Sequence, residues 1–153
     1  MQKIHSHIAC EQRVMHFYYA FDRGDLIATA EHLAPACTWQ HGGVTLRSRQ
    51  QILESFSKRS ATQVVRHIVS NFTLLGGDTE NATVAYCLTV HLFDNGQPPC
   101  LPVPGSTPFI LVDVTCKLAC NARGEWLIER KEIRPIFSHS VDVVSPLHAN
   151  ESR

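Results

Sequence analysis

Residues 63–75 read QVVRHIVSNFTLL. Thirteen positions rich in Val, Ile and Leu, with polar groups interleaved and no proline, have the composition and length of one long, half-buried strand. The same texture returns at Ala82–Phe93, Phe109–Cys120 and Glu125–Arg134. Gly76-Gly77-Asp78 and the stretch Asn121–Gly124 separate these runs as turns. The second and third runs are separated by Gln97–Pro108, which holds prolines 98, 99, 102, 104 and 108. Five prolines forbid helix and interrupt any strand ladder, so this is a long loop, of the kind that is usually functional. Four long strands joined mostly by turns predict a meander in an antiparallel sheet.

Upstream the period changes from two to 3.6. Between Ile8 and Phe21, residues Val14, Met15, Tyr18 and Phe21 share a helical face, with Gly24 as a stop. A shorter helix runs from Asp25, placed to cap it, to Leu33, and a third starts at Ser48, where Ser48 and Gln51 have capping-box spacing. Between these two helices, Cys37–His41 forms one arm of a hairpin turning at Gly42-Gly43. Helices followed by a strand meander define an α+β domain. Helices on one face of a curved sheet leave a concave pocket between the layers. The expected unit is a single domain over residues 1–135, with 136–153 as a tail that covers the pocket or a dimer contact.

Composition narrows the function. The 153 residues carry 14 Lys+Arg and 14 Asp+Glu, and only 18% are charged. A balanced, weakly charged chain lacks the basic footprint of a nucleic-acid or membrane-surface binder. Apolar runs are all short of a membrane span, and the first residues lead into an amphipathic pattern with no signal-like apolar core, so a cytoplasmic protein is expected. The six cysteines include no CxxC pair, and Cys116-x3-Cys120 has no histidine nearby. Reduced thiols acting as small apolar groups are expected, with no metal and no organic cofactor.

Two residues break the apolar patterns. Asp22 lies about 40° from Tyr18 on a helical wheel, in the interior sector, and a carboxylate at a helix C-terminus is opposed by the macrodipole. Either it has a compensating partner or the helix has frayed into a solvated Asp-Arg-Gly-Asp turn. His67 shares a face with Val69, Asn71 and Thr73 by strict alternation. A face that mixes polar and apolar groups suits a pocket wall and also an ordinary exposed strand. His91 shares a face with Thr89 and Phe93, and Asp113 interrupts Ile110–Val114 on the more polar side.

Three short motifs then occur in order: YYAFDRGD at 18–25, RHIVSN at 66–71 and GEWLI at 124–128. Together with the element order, they resemble the SnoaL-like families of the nuclear transport factor 2-like superfamily over residues 8 to 135. That superfamily includes polyketide cyclases, scytalone dehydratase and hexachlorocyclohexane dehydrochlorinase. The resemblance implies a cone-shaped barrel, a strongly curved antiparallel sheet packed on three N-terminal helices and enclosing a pocket. It also implies that Asp22 and His67 form a dyad, the His abstracting a proton and the Asp holding its tautomer and stabilising its charged form. Where scytalone dehydratase has a Tyr before the Asp, this chain has Phe21, and His91 is only an approximate match to a second catalytic histidine. Tyr18, Trp39, His41, Asn71, His91 and Asp113 are expected to line the substrate pocket. The expected activity is that of a lyase or isomerase on a small, largely apolar molecule, in a homodimer formed through the outer sheet face. The alternative is a binding or assembly module on the same scaffold, like the small subunits of ring-hydroxylating dioxygenases.

Overall fold

The computed structural model describes residues 2–41, 43–105 and 107–138, and the side chains from Ser6 onward except that of His41. Helix α1 spans Gln2–Phe21, starting earlier than its apolar period suggests. Cys10, Val14, Phe17, Tyr18 and Phe21 form its buried stripe, while Met15 is 42% exposed. The expected stripe is thus rotated slightly, with Phe17 inside in place of Met15. Gly24, at φ +71°, takes the left-handed position after α1 and donates its N–H to the Phe21 carbonyl at 3.1 Å. Helix α2 is Leu26–Glu31, and the Asp25 carboxylate caps it by accepting from the Ala28 N–H at 2.9 Å. It stops short of Leu33 because Pro35 disfavours helix at the residue before it, and the chain has already turned into strand.

Strand β1 is Leu33–His41, β2 is Val44–Leu46, and α3 is Arg49–Ser57. The Ser48 hydroxyl accepts from the Gln51 N–H at 3.1 Å, while Gln51 Oε1 accepts from the Arg47 N–H at 2.8 Å. The four long strands are β3 (Val64–Gly77), β4 (Asn81–Phe93), β5 (Ile110–Cys120) and β6 (Trp126–Ser138). They form one six-stranded sheet in the order β2-β1-β6-β5-β4-β3. The meander is antiparallel as expected, but β1 runs parallel to β6, with Leu33 opposite Ile128 and Trp39 opposite Lys131. The sheet is therefore mixed. It is also open rather than a closed barrel, because β2 and β3 end it without pairing. Period-two patterning identifies a strand without naming its neighbour, so this long-range parallel pairing was not readable from it.

One apolar cluster fills the space between helices and sheet. Alternation along β4 sends Ala82, Val84, Tyr86 and Leu88 inward, and along β5 it sends Ile110, Val112, Val114, Cys116 and Leu118 inward. Two of the sheet's register shifts change which side chains face inward. In β3 the register shifts between Ser70 and Thr73, with Asn71 at φ +52°, so Phe72 and Leu74 pack on the core in place of Asn71 and Thr73. In β6 a second shift, opposite Lys117 and Leu118, turns Lys131 inward after Ile128. Cys10, Cys37 and Cys116 are buried as small apolar groups, whereas Cys100 is exposed and Cys87 and Cys120 are half-buried.

The proline loop contributes little to the core: Leu101 is 66% exposed and Val103 only half-buried. Strand β6 continues to Ser138, past the expected boundary at 135, and Phe137 is 69% exposed. The expected cover from the tail rests on 139–153, which lie outside the described residues. Among the described residues no helix is long and apolar enough to cross a membrane.

Candidate active site

The end of α1 and the start of β3 are packed together, and this brings Asp22 and His67 side by side. The Asp22 N–H still donates to the Tyr18 carbonyl at 2.9 Å, so the helical turn holds through this residue. The carboxylate points inward, with its side chain 6% exposed. Its Oδ2 accepts from the His67 backbone N–H at 2.8 Å, and its Oδ1 lies 2.5 Å from His67 Nδ1. The solvated-turn reading of Asp22 is thereby corrected: the cost of placing a carboxylate at a helix C-terminus is offset by two hydrogen bonds from one residue of β3.

The contact also fixes the imidazole tautomer. A carboxylate at Nδ1 keeps the proton on that nitrogen, leaving the Nε2 lone pair available. The ring stacks on Tyr18 with centroids 4.9 Å apart and tilts against Phe21 at 5.4 Å. Burial pushes the His67 pKa below the ordinary 6.5; the Asp22 hydrogen bond and charge oppose that, and the Lys131 and Arg59 cations add to it. His67 is therefore neutral at pH 7, as a proton acceptor must be.

Two further buried polar groups, Lys131 and Tyr86, lie close to the dyad, and the sequence reading did not select them. Lys131 is 1% exposed, and its Nζ donates a hydrogen bond to the Tyr18 hydroxyl. It lies 3.9 Å from the centre of the Trp39 ring and 4.3 Å from that of Tyr18. Burial pulls its ammonium down to about 7. The Tyr86 hydroxyl lies 3.2 Å from that of Tyr18. Burial raises both phenols well above their usual range, so they remain protonated hydrogen-bond donors. Tyr86 could have been found in the sequence, since it shares the inward set of β4 with Val84 and Leu88. Lys131 could not: it sits in the charged run 129–132, and simple alternation from Ile128 would aim Arg130 inward instead.

Of the six expected pocket residues, Tyr18 and Trp39 are on this inner side, where the rings of Phe21 and Phe56 pack with centroids 4.2 Å apart. The side chain of His41 lies outside the described residues. Asn71, His91 and Asp113 belong to the opposite face of the sheet. The bulge turns Asn71 outward, where its Nδ2 lies 3.7 Å from Cys87 Sγ. His91 alternates outward opposite Arg66. Asp113, between the inward Val112 and Val114, accepts from Arg134 Nη2 at 2.7 Å. Asn71, Cys87, Asp113 and Arg134 line a shallow concavity of about 720 Å³ on that outer face.

The cone-like α+β fold expected from the motifs is shared by solved structures of low sequence identity. A scytalone dehydratase-like protein of Novosphingobium aromaticivorans superposes with TM-score 0.72 at 13% identity, covering 89% of this chain and 87% of its own. ActVI-ORFA of Streptomyces coelicolor superposes with TM-score 0.71 at 14% identity, over 87% of this chain and 97% of its own. A ketosteroid isomerase-like protein of Erwinia carotovora gives 0.66 at 14%, over 85% and 95%. No family model and no curated protein matches the sequence.

Proposed function

We propose that this chain is a cofactor-independent lyase or isomerase of the SnoaL-like type, acting on a small, largely apolar organic molecule by proton abstraction. The observation that carries this reading is the buried His67–Asp22 contact, in which a neutral imidazole is held in one tautomer by a carboxylate beneath aromatic rings. His67 Nε2 removes a proton from carbon next to an electron-withdrawing group, and Asp22 stabilises the imidazolium that forms. The Tyr18 and Tyr86 hydroxyls, kept protonated by burial, donate to the oxygen on which charge develops. Return of the proton to a leaving group completes an elimination, and return to another carbon completes an isomerisation. Aromatic walls favour a substrate that is mostly apolar. The names of the scytalone dehydratase-like and ketosteroid isomerase-like neighbours describe dehydration and isomerisation, in keeping with this class.

The outer sheet face, with Ala85, Cys87, Thr89 and Leu111 half-buried along it, is read as the contact between two copies. The functional test is turnover of a panel of hydroxy-ketones, unsaturated ketones and haloalkanes by the wild type, His67→Ala and Asp22→Asn. Turnover by the wild type that falls by about 100-fold or more in His67→Ala supports the reading. Binding of panel members without turnover makes the chain a binding module on the same fold.

A further inference from the structure

The chain has four lysines, at positions 3, 58, 117 and 131. Lys58 and Lys117 are exposed, as lysines usually are, and Lys131 is sealed inside. A buried lysine kept for structure is normally paired with a carboxylate, yet among the described residues no ion pair holds Lys131. It is boxed instead by the rings of Phe17, Tyr18 and Trp39, and its Nζ meets the hydroxyl of Tyr18. Desolvation without a compensating anion leaves a substantial fraction of the amine neutral near pH 7. Its position relates it to His67: the imidazole stacks on the ring whose hydroxyl the amine touches.

We propose that Lys131 is a catalytic amine that condenses with an aldehyde or ketone substrate, so that His67 removes a proton from the imine. This rests on the proton-transfer reading above and names its substrate class: a small apolar carbonyl compound with a hydrogen on the α-carbon. The Nζ lone pair forms the C–N bond, and the carbonyl π electrons move to oxygen, which takes a proton through the Tyr18 hydroxyl. Loss of water from this carbinolamine gives the protonated imine. His67 Nε2 then takes a proton from the α-carbon, which is two bonds from Nζ, and the C–H electron pair flows into the imine to give a neutral enamine. Reprotonation and addition of water release the product and restore the amine, so one water leaves and one returns. Trp39, at 9% exposure, is the least buried ring of the box.

The test treats the full-length protein with phenylacetone or cyclohexanone and sodium cyanoborohydride at pH 7, followed by intact mass measurement and peptide mapping. Lys131, whose ammonium form is disfavoured by burial, is expected to be alkylated at least about tenfold more than Lys58 or Lys117. Lys131→Met should lose that adduct. His67→Ala should keep it while losing exchange of the ketone's α-hydrogens with D2O, followed by NMR. Labelling confined to the N-terminal amine, Lys3, Lys58 and Lys117 would overturn the inference. If exchange persists in Lys131→Met and is lost in His67→Ala, the imine falls and the proton-transfer reading stands. Exchange that survives in His67→Ala would count against both.

Discussion

Lys131 shows at the scale of one residue how stability and function compete here. A buried amine with a hydroxyl and ring faces for company is less stable in place than an apolar side chain of similar length. Lys131→Met is therefore expected to stabilise the fold by about 1–3 kcal/mol at pH 7, measured by urea denaturation, and a loss of stability would mean that the aromatic box depends on the cation. The pH dependence has a definite sign. The folded amine titrates near 7 against 10.5 for an ordinary lysine, so the unfolded chain binds more protons between these values. Stability from this group is complete above the unfolded value and is lost as pH falls toward 7. His67, lowered from 6.5, continues the trend below that pH. The denaturation midpoint should accordingly fall between pH 9 and 5, and less steeply in Lys131→Met. Asp22 was suspected in the sequence because its place on the wheel conflicted with its charge. Lys131 raised no such suspicion, because among Glu129, Arg130 and Glu132 it looked like part of a solvated face.

At the scale of elements, the bulges decide which side chains meet. The β3 bulge places Asn71 in the left-handed region and exchanges the faces of the residues after it as far as Leu74, where the register shifts again. Asparagine tolerates that conformation, and glycine is indifferent to it. Asn71→Gly should change stability by no more than a few tenths of a kcal/mol, whereas Asn71→Val should cost about 1–2 kcal/mol, both read from denaturant midpoints. Equal effects would mean that the bulge is not held by this residue's backbone. Element type was legible because strand and helix periods are local, and Ser48, Gly24 and Asp25 gave their own cap and stop signals. Facing was legible only up to the first bulge, so Asn71 was assigned to the wrong side. Asp113 and His91 were assigned inward against their own alternation, which the structure follows.

At the scale of the whole molecule, the sheet has two faces with different chemistry. The inner one carries His67, Tyr86 and Lys131 against Tyr18 of α1 within apolar packing, and the outer one carries a row of half-buried side chains beside the Asp113–Arg134 ion pair. If that outer face joins two copies, light scattering should give twice the mass of one chain, and Arg134→Glu, which places like charge against Asp113, should shift the population to monomer. A monomeric wild type would exclude the contact. Only the fold as a whole brings Asp22 to His67, across 45 residues of sequence, and the proposed chemistry depends on that meeting. It is tested most directly by an NMR titration of His67 in the wild type and in Asp22→Asn. The Asp22 charge and hydrogen bond both raise the His67 pKa, while burial lowers it. The substitution should therefore lower it further, by roughly one unit or more, with the fold unchanged. An identical His67 pKa in both proteins would contradict the account, since the carboxylate would then have no hold on the imidazole.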